Sequence, residues 1–116
     1  MSITASTAVR DPLADHLLTP QNAALAVIDY QPSQISAVRS MDPDLLLKNI
    51  VSTVKLAKLF GVPVVHSTIS AAGGSGPTAP ELADLLEDDP PIDRTTMNAW
   101  EDPAFVDAVR ATAAAS

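Results

Sequence analysis

The run Ala23-Ala24-Leu25-Ala26-Val27-Ile28 is apolar without a break, ends in Asp29, and is followed by the polar stretch Gln31-Pro32-Ser33-Gln34. An unbroken apolar run of this length predicts a strand covered on both faces, as in a parallel α/β sheet. The polar stretch predicts a loop, because proline disfavours helix at the residue before it. A short helical turn over Ile35–Val38 follows. From Asp42 the period changes. Leu46, Ile50, Val54 and Ala57 recur at spacings of four, four and three, with Lys48, Ser52 and Lys55 opposite them. That is one amphipathic helix. Asp42 is its N-cap, Pro43 its first residue, and Gly61 its stop just past Phe60.

Val62–Thr68, which opens on the apolar stretch Val62-Pro63-Val64-Val65, predicts a second strand. Helix, glycine and strand form the second half of a βαβ unit, with a right-handed crossover. Pro63 marks the start of that strand as non-central. The glycine-bearing stretch Ala71–Thr78 predicts a flexible loop at its carboxyl end. Thr78-Ala79-Pro80-Glu81 has the form of a capping box and opens a short helix through Leu82, Leu85 and Leu86. Asp88-Asp89-Pro90-Pro91 ends it. Ile92-Asp93-Arg94 predicts a very short third strand. Asp102-Pro103 starts a last helix with Phe105, Val106 and Val109 on its buried side. Residues 1–20 read as a tail with a short arm, Leu13–Leu18. Residues 21–112 read as the domain, and 113–116 as a tail without structure of its own.

Composition narrows the function classes. A domain of 116 residues buries roughly two-thirds of its extended-chain surface, enough for a modest core. With Tyr30, Phe60, Trp100 and Phe105 as the aromatic set, that core must be built from Val, Leu, Ile and Ala. A net charge of −7 argues against nucleic acid, whose phosphates require Lys and Arg, and against anionic membranes. No apolar run approaches the ~18 residues of a membrane span. The first 20 residues lack the apolar core of a signal peptide and carry Asp11 and Asp15, so the expected location is the cytoplasm. There is no cysteine, which removes disulfides, thiolate metal sites and a cysteine nucleophile.

Several residues invite chemistry. Asp29 falls where parallel sheets bind ligands, outside the carboxyl end of a strand. Alternatively it only ends the strand or caps a turn. Gly73, Gly74 and Gly76 suggest a phosphate loop, but no Walker lysine and no GxGxxG pattern accompanies them, so a plain loop or lid is the stronger reading. Asp88-Asp89 beside two prolines reads as a solvated turn rather than a metal site. His16 reads as a surface histidine.

Two stretches, Val27-Ile28-Asp29-Tyr30-Gln31 and Arg94-Thr95-Thr96-Met97-Asn98-Ala99-Trp100, together resemble the isochorismatase-like cysteine hydrolases. In that family a strand ending in D-x-Q supplies an acidic catalytic residue. A later K-x-x-x-S-A-F segment supplies a lysine and a pocket aromatic. The Asn-Ala-Trp form looks like a subgroup of loosely characterised hydrolases. The resemblance covers about Leu13–Thr112. It implies a Rossmann-like three-layer α/β/α fold with a mostly parallel six-stranded sheet, here truncated to about its first three strands. It implies attack by a cysteine thiolate on an amide or related carbonyl of a small molecule, with no cofactor. The expected site residues are then Asp29 as catalytic acid/base and Arg94 at the lysine position. Gln31, Asn98 and Trp100 would contact substrate. Trp100 as a core aromatic and Asn98 as a turn cap stay open beside those roles. The nicotinamidases of this family bind zinc near their second strand through D-x-H; Val64-Val65-His66 lacks the aspartate, and no metal is expected.

Two departures follow. Arginine stays protonated, so Arg94 pairs with Asp29 but cannot shuttle a proton. The family's nucleophile lies on a strand beyond the last helix seen here, so this sequence reads as the N-terminal half of a hydrolase, cut near Thr112 and inactive by itself. Ser33, Ser67 and Ser75 are weak substitutes, since none has a nucleophile-elbow context. The first strand would have an unpaired edge, which predicts low stability or self-association as a homo-oligomer. A non-catalytic reading as a receiver-like binding or signalling domain is the alternative. It fares worse, because Asn22–Gln31 offers one acid where a receiver needs an acidic pair. A third reading is an assembly partner of full-length paralogues.

Overall fold

The computed structural model describes residues 17–115. Its frame is a three-stranded, all-parallel sheet. β1 (Leu25–Ile28) lies at one edge, β2 (Val64–Ile69) in the middle and β3 (Ile92–Arg94) at the other edge. Leu25 pairs with Val64 and Ile28 with Ser67; Ser67 pairs in turn with Ile92, and Ile69 with Arg94. This register brings the carboxyl ends of all three strands, with Asp29 and Arg94, to one end of the sheet.

The two long helices start where local chemistry prescribes. The helix α2 (Pro43–Leu59) begins at Asp42, whose Oδ2 accepts the Leu45 amide at 3.2 Å. It stops in a paired turn: Val62 N donates to Ala57 O at 2.9 Å and Gly61 N to Lys58 O at 3.2 Å. That turn requires φ +71° at residue 61, which glycine adopts without strain. The predicted stripe is the buried one: Ile50, Val54 and Ala57 are buried and Leu46 is half-buried. Val27, Ile50, Val54, Leu82 and Leu86 form the main core on this side of the sheet. On the other side α4 (Pro103–Ala115) packs through Phe105 against Val65 and Ala99. Asp102 Oδ1 caps it by accepting the Phe105 amide at 3.0 Å.

The sequence-based expectations need correction at five places. A four-residue helix, α1 (Pro32–Ile35), starts where a loop was expected. Gln31 is extended, as the residue before proline should be, but Pro32 itself serves as the first helical residue. The Ala71–Ser75 segment is a wound five-residue turn rather than an open loop. Thr78 does not cap α3 (Pro80–Ala83), because its hydroxyl is committed to His66; Ala79 takes the cap position with no side-chain bond. A 3₁₀ turn, Asp84–Leu86, completes that helical segment. The last helix runs on to Ala115, since an alanine run continues a helix at no cost. The largest correction concerns β1. Its burial pattern alternates, with Val27 buried and Ala26 and Ile28 exposed. The layer with α4 lies over β2 and leaves β1 bare on that face. Of the N-terminal arm, Leu17 and Leu18 are exposed; the rest of it, with His16, lies outside the described residues.

Candidate active site

The site is made where β1 and β3 end on either side of β2. Asp29 has φ +65°, a left-handed conformation that aspartate tolerates better than most residues. Its amide still reaches Ser67 O at 3.0 Å, so the turn begins while the ladder is intact. The carboxylate is held by a two-pronged guanidinium fork. Arg94 Nη1 donates to Asp29 Oδ1 at 2.6 Å and Nη2 to Oδ2 at 3.0 Å. Nη1 also faces Ser67 Oγ and Thr68 O, both at 3.1 Å, and Nη2 donates to Met97 O at 3.2 Å. The Arg94 side chain is 1% exposed and that of Asp29 26%. The carboxylate is thus the solvent-facing half of the pair, and the guanidinium is its buried support. The bond to Asp29 raises the Arg94 pKa further, against the opposing effect of burial. Among the described residues, the Arg94 Nε is a buried donor with no partner.

The other expected site residues are placed differently from one another. Asn98 and Trp100 follow Arg94 on the same segment. Asn98 Oδ1 accepts the Trp100 amide at 3.0 Å and so caps a 3₁₀ turn, Ala99–Glu101. Trp100 is 55% exposed and meets Phe105 edge-on at 6.5 Å, which leaves most of the indole free. It is therefore not a core aromatic. Gln31 is fully buried. Its Oε1 accepts the Ile69 amide at 2.9 Å, and its Nε2 donates to Ile69 O and Gly76 O, both at 2.9 Å. Both ends of this side chain are spent on the backbone beside the site.

Sequence reasoning missed Asp93 and weighed His66 only as a metal ligand, though both lie on predicted strands. Asp93 accepts from Thr68 Oγ1 and Ala71 N at 2.8 Å each, and from Ala72 N. The amides that open the 71–75 turn are thus taken by the chain's own carboxylate. Its partners, the Ala71 amide first, hold the Asp93 pKa below the usual carboxylate range. His66 is buried on β2. Nδ1 donates to Asp89 O at 3.0 Å, since a carbonyl only accepts, so Nε2 accepts from the Thr78 hydroxyl at 2.6 Å. Asp89 in addition pairs with Lys58. Burial holds His66 below the ordinary imidazole value, against the Asp89 carbonyl and charge. Among the described residues, no three His, Cys, Asp or Glu side chains converge as a metal site would require. Ser67 Oγ donates to Ile92 O at 2.8 Å and faces the Arg94 cation, so no base activates it.

The two lowered pKa values each contribute to the pH dependence of stability. Each group binds protons more weakly in the folded state, so stability rises with pH and is lost on acidification. The His66 share is complete above about 6.5 and falls below it. The Asp93 share is complete above about 3.8 and is lost as pH drops through its lower folded value. Urea midpoints should therefore decline in two stages from pH 8 to pH 3. In His66→Gln the first stage, which sets in below about pH 6.5, should disappear; its persistence would assign that stage to another group.

The comparisons with known proteins bear on the family and the fold. The isochorismatase domain model matches residues 23–115. The probable hydrolase YcaC of Escherichia coli K12 is 38% identical over 96 residues, which cover 82% of this chain and 46% of that protein. The crystal structure of E. coli YcaC, described as an octameric hydrolase of unknown specificity, superimposes with a TM-score of 0.79 at 36% identity, over 85% of this chain and 49% of that one. YcaC from Pseudomonas aeruginosa, solved with hexane-2,5-diol and covalent acrylamide, gives 0.79 at 33% identity over 84% and 49%. The chain thus spans about half the length of these relatives. No described helix is long and apolar enough to cross a membrane. By sequence and by fold, this chain belongs to the isochorismatase family.

Proposed function

We propose that residues 21–112 carry the acid–base portion of a cysteine-hydrolase site that acts on an amide or related bond of a small molecule in the cytoplasm. The observation that carries this reading is the partly exposed Asp29 carboxylate fixed by a buried Arg94. Asp29 is the group that accepts and returns the proton. Arg94 orients it as a permanent cation and exchanges no proton itself. Trp100 offers an apolar wall, and Asn98 sets the turn that presents it. Gln31 acts through the loop it pins rather than by touching substrate. No cysteine occurs in the 116 residues, so they hold no thiolate nucleophile and are expected to be inactive alone. The octameric state of one relative supports self-association of this chain as well.

The acid–base assignment is tested in a chimera with residues 23–115 in place of the matched half of the P. aeruginosa relative. It should gain mass with acrylamide, and Asp29→Asn should slow that labelling about a hundredfold, the usual scale for losing a positioned base. Labelling unchanged by Asp29→Asn would remove Asp29 from the chemistry. The 116-residue chain alone should neither label nor release ammonia from small amides.

A further inference from the structure

A guanidinium is the group that ordinarily recognises a carboxylate or phosphate, through its paired N–H donors. In this site those donors are committed to the protein. Arg94 Nη1 faces Asp29 Oδ1, Ser67 Oγ and Thr68 O, and Nη2 faces Asp29 Oδ2 and Met97 O. Nε has no partner, but it is out of contact with solvent. The Arg94 side chain is 1% exposed, against 26% for Asp29. A ligand arriving at the strand ends therefore meets the anion of the pair and not the cation. The surroundings do not restore positive charge. The charges that weigh on Arg94 are all acidic: Asp29 first, then Asp102 and Asp93. Asp29 and Arg94 cancel, so the other two acids leave the site negative. Glu101, exposed beside Trp100, adds to that sign. Of the other described basic residues, Lys48, Lys55 and Lys58 lie on α2, Arg110 on α4, and Arg39 in the segment between α1 and α2.

We propose that this site takes uncharged or cationic small molecules and turns away carboxylates and phosphates. This rests on the hydrolase reading given above and names its substrate class. A carboxylate brought against Asp29 would lose its water with no counter-charge to replace it, which is costly. Before contact, the acidic field would already lower its encounter rate. An uncharged carbonyl compound meets neither penalty. Trp100 and Met97, 55% and 86% exposed on the segment that follows Arg94, offer apolar surface to an uncharged ligand, and the indole face also suits a cation.

Trp100 is the single tryptophan of the chain, so its fluorescence reports on this place directly. In the native 116-residue chain at low ionic strength, iodide should quench it at least about threefold less well than caesium, each constant being divided by that for N-acetyltryptophanamide. Glu101→Lys should narrow that gap. The chimera described above tests selection itself. Acrylamide, the anion N-acryloylglycine and the cation N-(2-aminoethyl)acrylamide are timed in turn, and each rate is divided by the rate with 2-mercaptoethanol to remove intrinsic reactivity. The anion should fall about tenfold behind acrylamide at low salt and gain on it as NaCl is added, while the cation keeps pace. Equal quenching by iodide and caesium would overturn the proposal. An anion that labels as fast as acrylamide, in a chimera that Asp29→Asn still slows, would overturn it too and leave the hydrolase reading standing. The charge ranking intact, with labelling indifferent to Asp29→Asn, would do the reverse. If the chimera fails to fold, the quenching ratio of the native chain decides alone.

Discussion

Arg94→Ala should lower the unfolding free energy by about 3 kcal/mol or more, read as a shift of the urea midpoint, because removing one partner of a buried pair typically costs 3–5. Five acceptors depend on this one guanidinium: both oxygens of Asp29, Ser67 Oγ, Thr68 O and Met97 O. Each buried acceptor left without a donor costs about 1–3 kcal/mol, while water regains Asp29 because that side chain is partly exposed. The sum belongs near the lower end of the range for that reason. Arg94→Lys keeps the charge and loses the fork, and should cost about half as much. A domain of this size holds about 5–15 kcal/mol in all, so Arg94→Ala should leave it close to unfolding at 37 °C. A midpoint equal to that of the native chain would mean that the pair contributes nothing to stability.

Gln31→Leu should cost about 2–4 kcal/mol, from buried backbone groups left unpaired rather than from a cavity. Leucine nearly refills the volume, but the Ile69 amide and the carbonyls of Ile69 and Gly76 lose their partners. The effect should also be local. Gln31 stands opposite Asp93, and the two side chains clasp the 70–76 turn from the β1 and β3 sides. With one half of the clasp gone, hydrogen exchange at the Ile69 amide should quicken far more than at Val54 in the core. If Ile69 stayed as protected as in the native chain, the clasp would not be holding the turn.

What the sequence disclosed, it disclosed through local signals. Asp42, Pro43 and Gly61 act within one turn of themselves, and they delimit α2 as their chemistry requires. Asp102 does the same for α4. The meeting of Asp29 and Arg94 spans 65 residues and was legible only through a family resemblance. The misreadings have long-range causes. Thr78 has the residue type of a cap, yet its hydroxyl serves His66 twelve positions earlier. The bonds of Gln31, whose partners lie 38 and 45 positions away on a neighbouring strand and turn, were likewise beyond the reach of a local reading. The apolar run at Ala23 correctly gave a strand. Its composition held no sign that the α4 layer leaves β1 bare.

The left-handed backbone at Asp29 restricts which acid can serve there. Glutamate carries the same charge and nearly the same chemistry, but it gains little from the local side-chain bonding that eases aspartate and asparagine into this conformation. Its extra methylene would also carry the carboxylate past a guanidinium that is walled in on every side and cannot retreat. Of the two genetically encoded acids, the bend in the chain at the end of β1 accepts the shorter, and it makes that choice before any substrate is present.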